Sequence, residues 1–269
     1  NDFYQMNLLA PGAMTAQDIL TRYDVVICAL GYESRARYLA ETLGLCGELK
    51  LALGFGDSKT HGYQDNRRYF EASDFEIRES SDDVFLGSTR ARLEQFLLER
   101  SLSFPDRRDV SVCLDISSFS RIRLAYLVDL IVDISVSNPI RLHVIYSIAC
   151  FSPPDRDDVP IRTAAPVTEN YAGWSVKLDL PTVAVVGLGY EHRKALGAVE
   201  YLQADEIWVF DPYSPILEYR EALNSANDSL LEAVPNAKKI DYDVMNPHDL
   251  FVRLESLVYG LVRESRPVV

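Results

Sequence analysis

Two short segments bring a glycine, a tyrosine, an acid and an arginine together in the same order. Val25-Val-Ile-Cys-Ala-Leu-Gly-Tyr-Glu-Ser-Arg35 returns 158 positions later as Val183-Ala-Val-Val-Gly-Leu-Gly-Tyr-Glu-His-Arg193. An arginine beside a glycine turn can donate a forked pair of hydrogen bonds to phosphate or carboxylate, and the amides of a helix start favour an anion. A glutamate there fills the anion position itself, or turns to ribose hydroxyls, a base edge or an attacking water. The candidates are therefore Gly31, Tyr32, Glu33 and Arg35 in one loop, and Gly189, Tyr190, Glu191 and Arg193 in the other. A structural alternative stands beside this one: the glycine permits a tight turn, the tyrosine packs, and the glutamate caps the helix and pairs with the arginine. His192 lies next to Glu191, but its counterpart is Ser34, so the repeat does not support an essential histidine.

A third segment, Leu114-Asp115-Ile-Ser117-Ser118-Phe-Ser120-Arg121, ends an apolar run in an acid and follows it with hydroxyls and a basic residue. Such a loop supplies donors and acceptors to a phosphate or ribose. Asp57 and Asp211 fall at the expected ends of two further strands and add candidate hydroxyl-binding acids, although Asp211-Pro-Tyr-Ser-Pro215 also reads as a turn after a strand. The pair Asp82-Asp83 reads as solvated. No nucleophile elbow, P-loop or complete Gly-x-Gly-x-x-Gly is present. The second loop offers only Gly187-Leu-Gly189 with Arg193 where the last glycine would stand, which argues against a standard dinucleotide turn. No motif specifies a cofactor.

The run Asp115-Ile-Ser-Ser-Phe-Ser-Arg121 resembles the Asp-hydrophobic-Thr/Ser-Gly-Gly/Ser-Thr/Ser-Lys/Arg loop of CARF domains, the Rossmann-like sensors of cyclic oligoadenylate in CRISPR-associated effectors. The likeness covers about eight residues, and Ser118 replaces the family's glycine. It implies ligand contacts from Ser117, Ser118, Ser120 and Arg121, with 29–33 standing for the family's first-strand loop. It also implies a two-fold site made by pairing, which an internal repeat could imitate. The second half has no equivalent of Asp115, which puts a symmetric site in doubt.

These loops need strands and helices to hold them. Apolar runs at 24–30, 49–55, 110–115 and 141–149 alternate with helical periodicity at 34–43, 65–72, 88–100 and 122–132, and a strand is expected at 75–78. The second half repeats the opening order, with strands at 182–188, 206–210 and 238–242 and helices at 192–202, 217–233 and 247–262. The expected fold is α/β: two related Rossmann-like units, an internal repeat, with mainly parallel sheets covered by helices. The first unit is placed at 1–150 and the shorter second at 182–269. The proline-rich stretch 151–181 joins them, with a short strand at 174–178.

Composition limits the function. A net charge of −13 opposes non-specific binding to nucleic acid or anionic lipid, so any anion must be recognised locally. No apolar stretch reaches membrane-spanning length. Cys28, Cys46, Cys113 and Cys150 lack Cys-x-x-Cys spacing, so reduced thiols in the cytoplasm are expected, and no metal site. The chain opens on Asn1, as a piece of a larger parent protein would, and a homo-oligomer is the other expectation. The leading expectation is binding or sensing of a nucleotide or other small phosphorylated anion. In it Arg35, Ser117, Ser118, Ser120 and Arg121 hold anionic groups, and Asp57 and Asp115 orient hydroxyls. The alternatives are a nucleotide-processing hydrolase using Glu33 or Glu191 with Asp115, and a protein-interaction scaffold.

Overall fold

The computed structural model describes residues 22–55, 62–103, 109–147, 165–172, 180–214, 217–264 and 268. These form two compact units, one holding the first five strands and the other the last three.

The first unit is built on β1 (Arg22–Leu30), β2 (Cys46–Phe55), β3 (Glu76–Ser80), β4 (Val110–Asp115) and β5 (Ile140–Ile145). All are parallel, in the order β3-β2-β1-β4-β5. Its helices are α1 (Tyr38–Leu43), α2 (Tyr63–Ala72), α3 (Asp82–Ser103) and α4 (Arg121–Ser135). Successive side chains of a strand point to opposite faces, so a central strand covered on both sides must be apolar at every position. β1 does this from Val25 to Leu30: Val25 and Ile27 enter a core with Phe85, Leu93 and Phe96 of α3 and Leu127, Leu130 and Ile131 of α4. Val26, Cys28 and Leu30 enter another core with Ala40 of α1 and Tyr63 and Phe70 of α2.

The strand order fixes where a site can form. The chain runs from β1 outward through β2 to β3, then crosses to the other side of β1 for β4 and β5. The loops after β1 and β4 thus leave adjacent strand ends toward opposite faces, which is the place where open α/β sheets leave a crevice.

Three differences from the sequence reading have physical causes. The helix expected over 34–43 divides into a 3-10 turn, Ser34–Ala36, and the six-residue α1, which stops at Gly44 with φ 57 in the left-handed region. An anion argument from the start of one long helix therefore does not apply there. α3 begins at Asp82, not at residue 88, because Asp82 and Asp83 suit the positive end of a helix and the Ser81 carbonyl accepts from the amides of Val84 and Phe85.

The third difference lies in the second unit, which consists of β6 (Val183–Gly187), α5 (Lys194–Leu202), β7 (Glu206–Tyr213), α6 (Leu217–Ala233), β8 (Lys239–Asp243) and α7 (Pro247–Arg263). Its parallel order β6-β7-β8 matches β1-β2-β3. Here Asp211 is not in a turn: β7 continues through Asp211-Pro212-Tyr213, paired with Asp241, Tyr242 and Asp243. Beyond α7, Val268 makes a parallel bridge to Val183.

Of the expected connector, 167–171 belongs with the first unit, where Asn170 Nδ2 and the Tyr171 hydroxyl donate to Asp129 of α4 at 3.0 and 3.3 Å. The strand expected at 174–178 lies outside the described residues. No helix among the described residues is long and apolar enough to cross a membrane.

An apolar void of about 20 Å³ lies under the sheet, lined by Val25, Ile27, Leu93, Val112, Ile131 and Ile134. Such a space offers water no partners and stays dry. Val112→Ile places one methylene there and is expected to raise stability by roughly 0.5 kcal/mol in urea unfolding. A loss instead would mean that the walls cannot yield.

Candidate functional site at the carboxyl edge of the first sheet

Gly31 follows the last residue of β1 and is buried. A Cβ at this position would lie 3.2 Å from Cβ of Ser118, so the loops after β1 and β4 touch across the crevice. The backbone of the first loop is held from outside. Asn66 of α2, almost wholly buried, donates through Nδ2 to the carbonyls of Gly31 at 3.0 Å and Glu33 at 2.7 Å. The Tyr32 carbonyl accepts from the amide of Gly62 at 3.1 Å.

The Glu33 side chain does not cap the 3-10 turn that follows it. Its Oε2 instead accepts from Nε of Arg35 in an ion pair. The same guanidinium reaches over the strand ends to β5, where Nη1 donates to the Tyr146 hydroxyl and the Ser147 carbonyl, each at 3.3 Å. It stands 5.8 Å from the centre of the exposed Tyr146 ring.

Asp115, the last residue of β4, is 2% exposed. Its Oδ1 accepts from the amide and hydroxyl of Ser117, and Ser117 Oγ in turn accepts from the amide of Ser147 at 2.7 Å. Ser117 thus stitches the end of β4 to the end of β5. Asp115 Oδ2, Ser118 Oγ and Ser147 Oγ are buried without a hydrogen-bond partner among the described residues. Burial raises the Asp115 pKa, a rise that the two Ser117 hydrogen bonds and the charge of Arg35 only partly offset. An unpartnered buried oxygen costs about 1–3 kcal/mol, and these three, at the ends of β4 and β5, suit a group that both donates and accepts hydrogen bonds.

The remaining residues of this loop divide. Ser120 is the N-cap of α4, its Oγ accepting from the amide of Arg123 at 3.3 Å. Arg121 is the exposed first residue of α4, on the face opposite α1. The arginine brought to Asp115 is Arg35, while Arg121 stays on the rim. Asp57 lies outside the described residues.

The second loop has the same backbone clamp and different side chains. Asn227 of α6 donates through Nδ2 to the Gly189 carbonyl at 2.8 Å, as Asn66 does to Gly31. Glu191 pairs with Lys194 rather than with Arg193. Arg193 takes the left-handed conformation at φ 56 and donates its amide to the Ala226 carbonyl. The Tyr190 ring is 5.6 Å from that of Tyr219. Among the described residues a Cβ at Gly189 would meet nothing within 4 Å. Asp211 faces Asp241 across the strand pair, and burial and that neighbouring carboxylate raise its pKa against the pull of Arg220 and Lys239.

Sequence reasoning passed over Asn66, Tyr146 and Ser147. The first had one available signal: an asparagine lies 35 residues after Gly31 and 38 after Gly189. Tyr146 and Ser147 follow the end of β5, which pairs with the strand of Asp115, and were legible as edge residues once the strand order was known. Among the described residues no group of three His, Cys, Asp or Glu side chains is placed to hold a metal ion. Compared with known proteins, the chain matches no family model, and no curated protein matches it in sequence.

Proposed function

We propose that the first unit binds a nucleotide or another small phosphorylated molecule at the junction of the β1, β4 and β5 strand ends. The observation that carries this reading is the group of three buried, unpartnered oxygens of Asp115, Ser118 and Ser147 beside the Arg35 guanidinium. Asp115 Oδ2 suits a hydroxyl donor such as a ribose, the two serine hydroxyls can donate to phosphate oxygens, and arginine offers its fork to an anion. The exposed ring of Tyr146 is a surface on which a base can stack. The net charge of −13 favours such local recognition over a general affinity for polyanions.

The resemblance to CARF loops supports the same reading through Asp115, Ser118 and Arg121. It is weakened at Ser117 and Ser120, whose hydroxyls serve the strand end and the helix cap. The paired asparagine clamps and matching strand order support reading the second unit as a shortened copy without an Asp115 counterpart. Unpaired thiols at Cys28, Cys46 and Cys113 are in keeping with a reducing, cytoplasmic setting.

The test is a thermal-shift panel of mono-, di- and cyclic nucleotides on the unaltered chain and on Arg35→Ala, Arg121→Ala and Asp115→Asn. A binder at 100 times its Kd stabilises by about 2.7 kcal/mol. Arg35→Ala and Asp115→Asn should abolish that shift, and Arg121→Ala should reduce it. Without ligand, Asp115→Asn should melt at the same temperature or a few degrees higher at pH 7. The folded pKa of Asp115 is raised, so its ionised form opposes folding, and the advantage of Asn should vanish as pH falls toward the unfolded value of 3.8. A nucleotide shift unchanged in both Arg35→Ala and Asp115→Asn sinks the assignment.

One observation favours a second reading. A buried carboxyl with a raised pKa is suited to general acid or base work, which would make the site a nucleotide-processing hydrolase using Asp115 with Glu33 of the same unit. Product formation from a bound nucleotide, lost in Asp115→Asn with binding retained, would establish it.

A further inference from the structure

Within the proposed site, Arg35 already holds an anion. Its Nε is engaged by the carboxylate of Glu33, two residues earlier in the same loop, while Nη1 is braced by the Tyr146 hydroxyl and the Ser147 carbonyl. The carboxylate lies toward solvent, with the Glu33 side chain 39% exposed and that of Arg35 23%. The backbone of Glu33 does not depend on this pairing: its carbonyl accepts from Asn66 Nδ2 at 2.7 Å and from the amide of Ala36 at 3.1 Å. The hydrogen bonds that hold the loop backbone, and the two that Arg35 Nη1 makes just after β5, thus do not involve the Glu33 carboxylate. The second loop, with the same Gly-Tyr-Glu-x-Arg sequence, does not repeat the pair, since Glu191 is engaged by Lys194. The glutamate–arginine contact is therefore a property of the place beside Asp115 and not of the motif.

We infer that Glu33 is a built-in competitor for the anion subsite: its carboxylate occupies the Arg35 guanidinium in the unliganded protein, and the phosphate of an incoming ligand must displace it. This rests on the reading of the β1–β4–β5 edge as an anion site. It assigns Glu33 to setting affinity and specificity, not to catalysis. A monoanion offers Arg35 little that the resident carboxylate does not, whereas a phosphate dianion brings more charge and a geometry matched to the fork. The subsite should accordingly select phosphomonoesters over carboxylates. Ligands differing only in that group separate the two cases.

Calorimetric titration with AMP and with inorganic phosphate tests this on the full chain and on Glu33→Gln, Glu33→Ala, Arg35→Ala and the double variant Glu33→Gln/Arg35→Ala. Glu41→Gln controls for net charge, because Glu41 pairs with Arg37 on α1 and does not touch Arg35. Both Glu33 variants should bind AMP about tenfold more tightly than the unaltered chain. Glu41→Gln should change affinity much less, and the gain should disappear in the double variant. An equal gain in Glu41→Gln, or a gain that survives without Arg35, would overturn the inference by tracing the effect to net charge. Weaker binding in Arg35→Ala with no gain in either Glu33 variant would overturn the competition and leave the anion site standing. Absence of binding to AMP and phosphate in every variant would overturn both.

Discussion

Replacing Arg123 with methionine is expected to lower the melting temperature of the protein by roughly 10 °C, one of the two largest single-residue effects anticipated on stability. The side chain is 1% exposed, and its guanidinium lies 4.1 and 4.5 Å from the ring centres of Phe55 and Phe85. Nη1 donates to the Gly54 carbonyl at 2.7 Å, Nη2 to the Ser80 carbonyl at 2.5 Å and Nε to Asp82 Oδ1 at 2.7 Å. One residue of α4 therefore ties together the ends of β2 and β3 and the start of α3. Methionine fills much of the volume but leaves two carbonyls without their donor at about 1–3 kcal/mol each, and removes the attraction of the cation for the two rings. The sum exceeds about 3 kcal/mol. Arg123→Lys should recover little, because one ammonium cannot serve three acceptors spread around a planar fork. Urea unfolding of Arg123→Met within about 1 kcal/mol of the unaltered protein would refute this account.

The second large effect is expected at the opposite edge of the same sheet. Asp24 and Arg100 form an ion pair at 3.1 Å with both residues buried, and Asp24 Oδ2 also accepts from the amide and hydroxyl of Ser111 at 2.7 and 2.8 Å. Burial by itself raises the Asp24 pKa, but the Ser111 hydrogen bonds and the Arg100 charge outweigh it, and the net shift is downward. A carboxyl whose folded pKa lies below its unfolded value stabilises fully above the unfolded value, and this contribution is lost as pH falls through the folded one. Asp24→Asn removes the carboxylate nearest the buried Arg100 guanidinium, leaving Glu48 Oε2 at 3.9 Å, and should destabilise by about 3 kcal/mol at pH 7. The difference from the unaltered protein should shrink at pH 3 and below. A gap of constant size across that range would show that packing, not charge, is responsible.

Asp24 and Asp115 make an instructive pair because they lie at opposite ends of neighbouring strands and are equally buried. At the amino edge every oxygen of Asp24 is used, and the shift is downward. At the carboxyl edge one oxygen of Asp115 is unused, and the shift is upward. The first arrangement stabilises the fold. The second is tolerated at a cost to it, which the proposed ligand would relieve by donating to the free oxygen.

Much of this architecture is legible in the residues. The apolar runs of β1 and β4 required burial on both faces, and alternation with helices required parallel pairing. Both features are present. What escaped depends on contacts distant in sequence. Arg121 was singled out for its position at a helix start, yet the arginine two residues on is the one buried among strand ends, since a helix turns about 100° per residue and only some positions face the sheet. Asp211 looked like a turn because proline follows it, but this proline sits within a strand pairing that continues to Tyr213. The motif Gly-Tyr-Glu-x-Arg reads the same in both loops, while the ion pairs differ, because Lys194 is within reach of one glutamate and Arg35 of the other.

The asparagine clamps carry a consequence for how such a loop can be altered. The shape of each loop is written partly in a helix some three dozen residues away, through one side-chain amide bonded to a glycine carbonyl. The exposed residues of the loop are correspondingly released from encoding their own backbone path. Substituting the exposed side chain of Tyr32 should therefore leave the path of the turn, which is held through backbone carbonyls, in place.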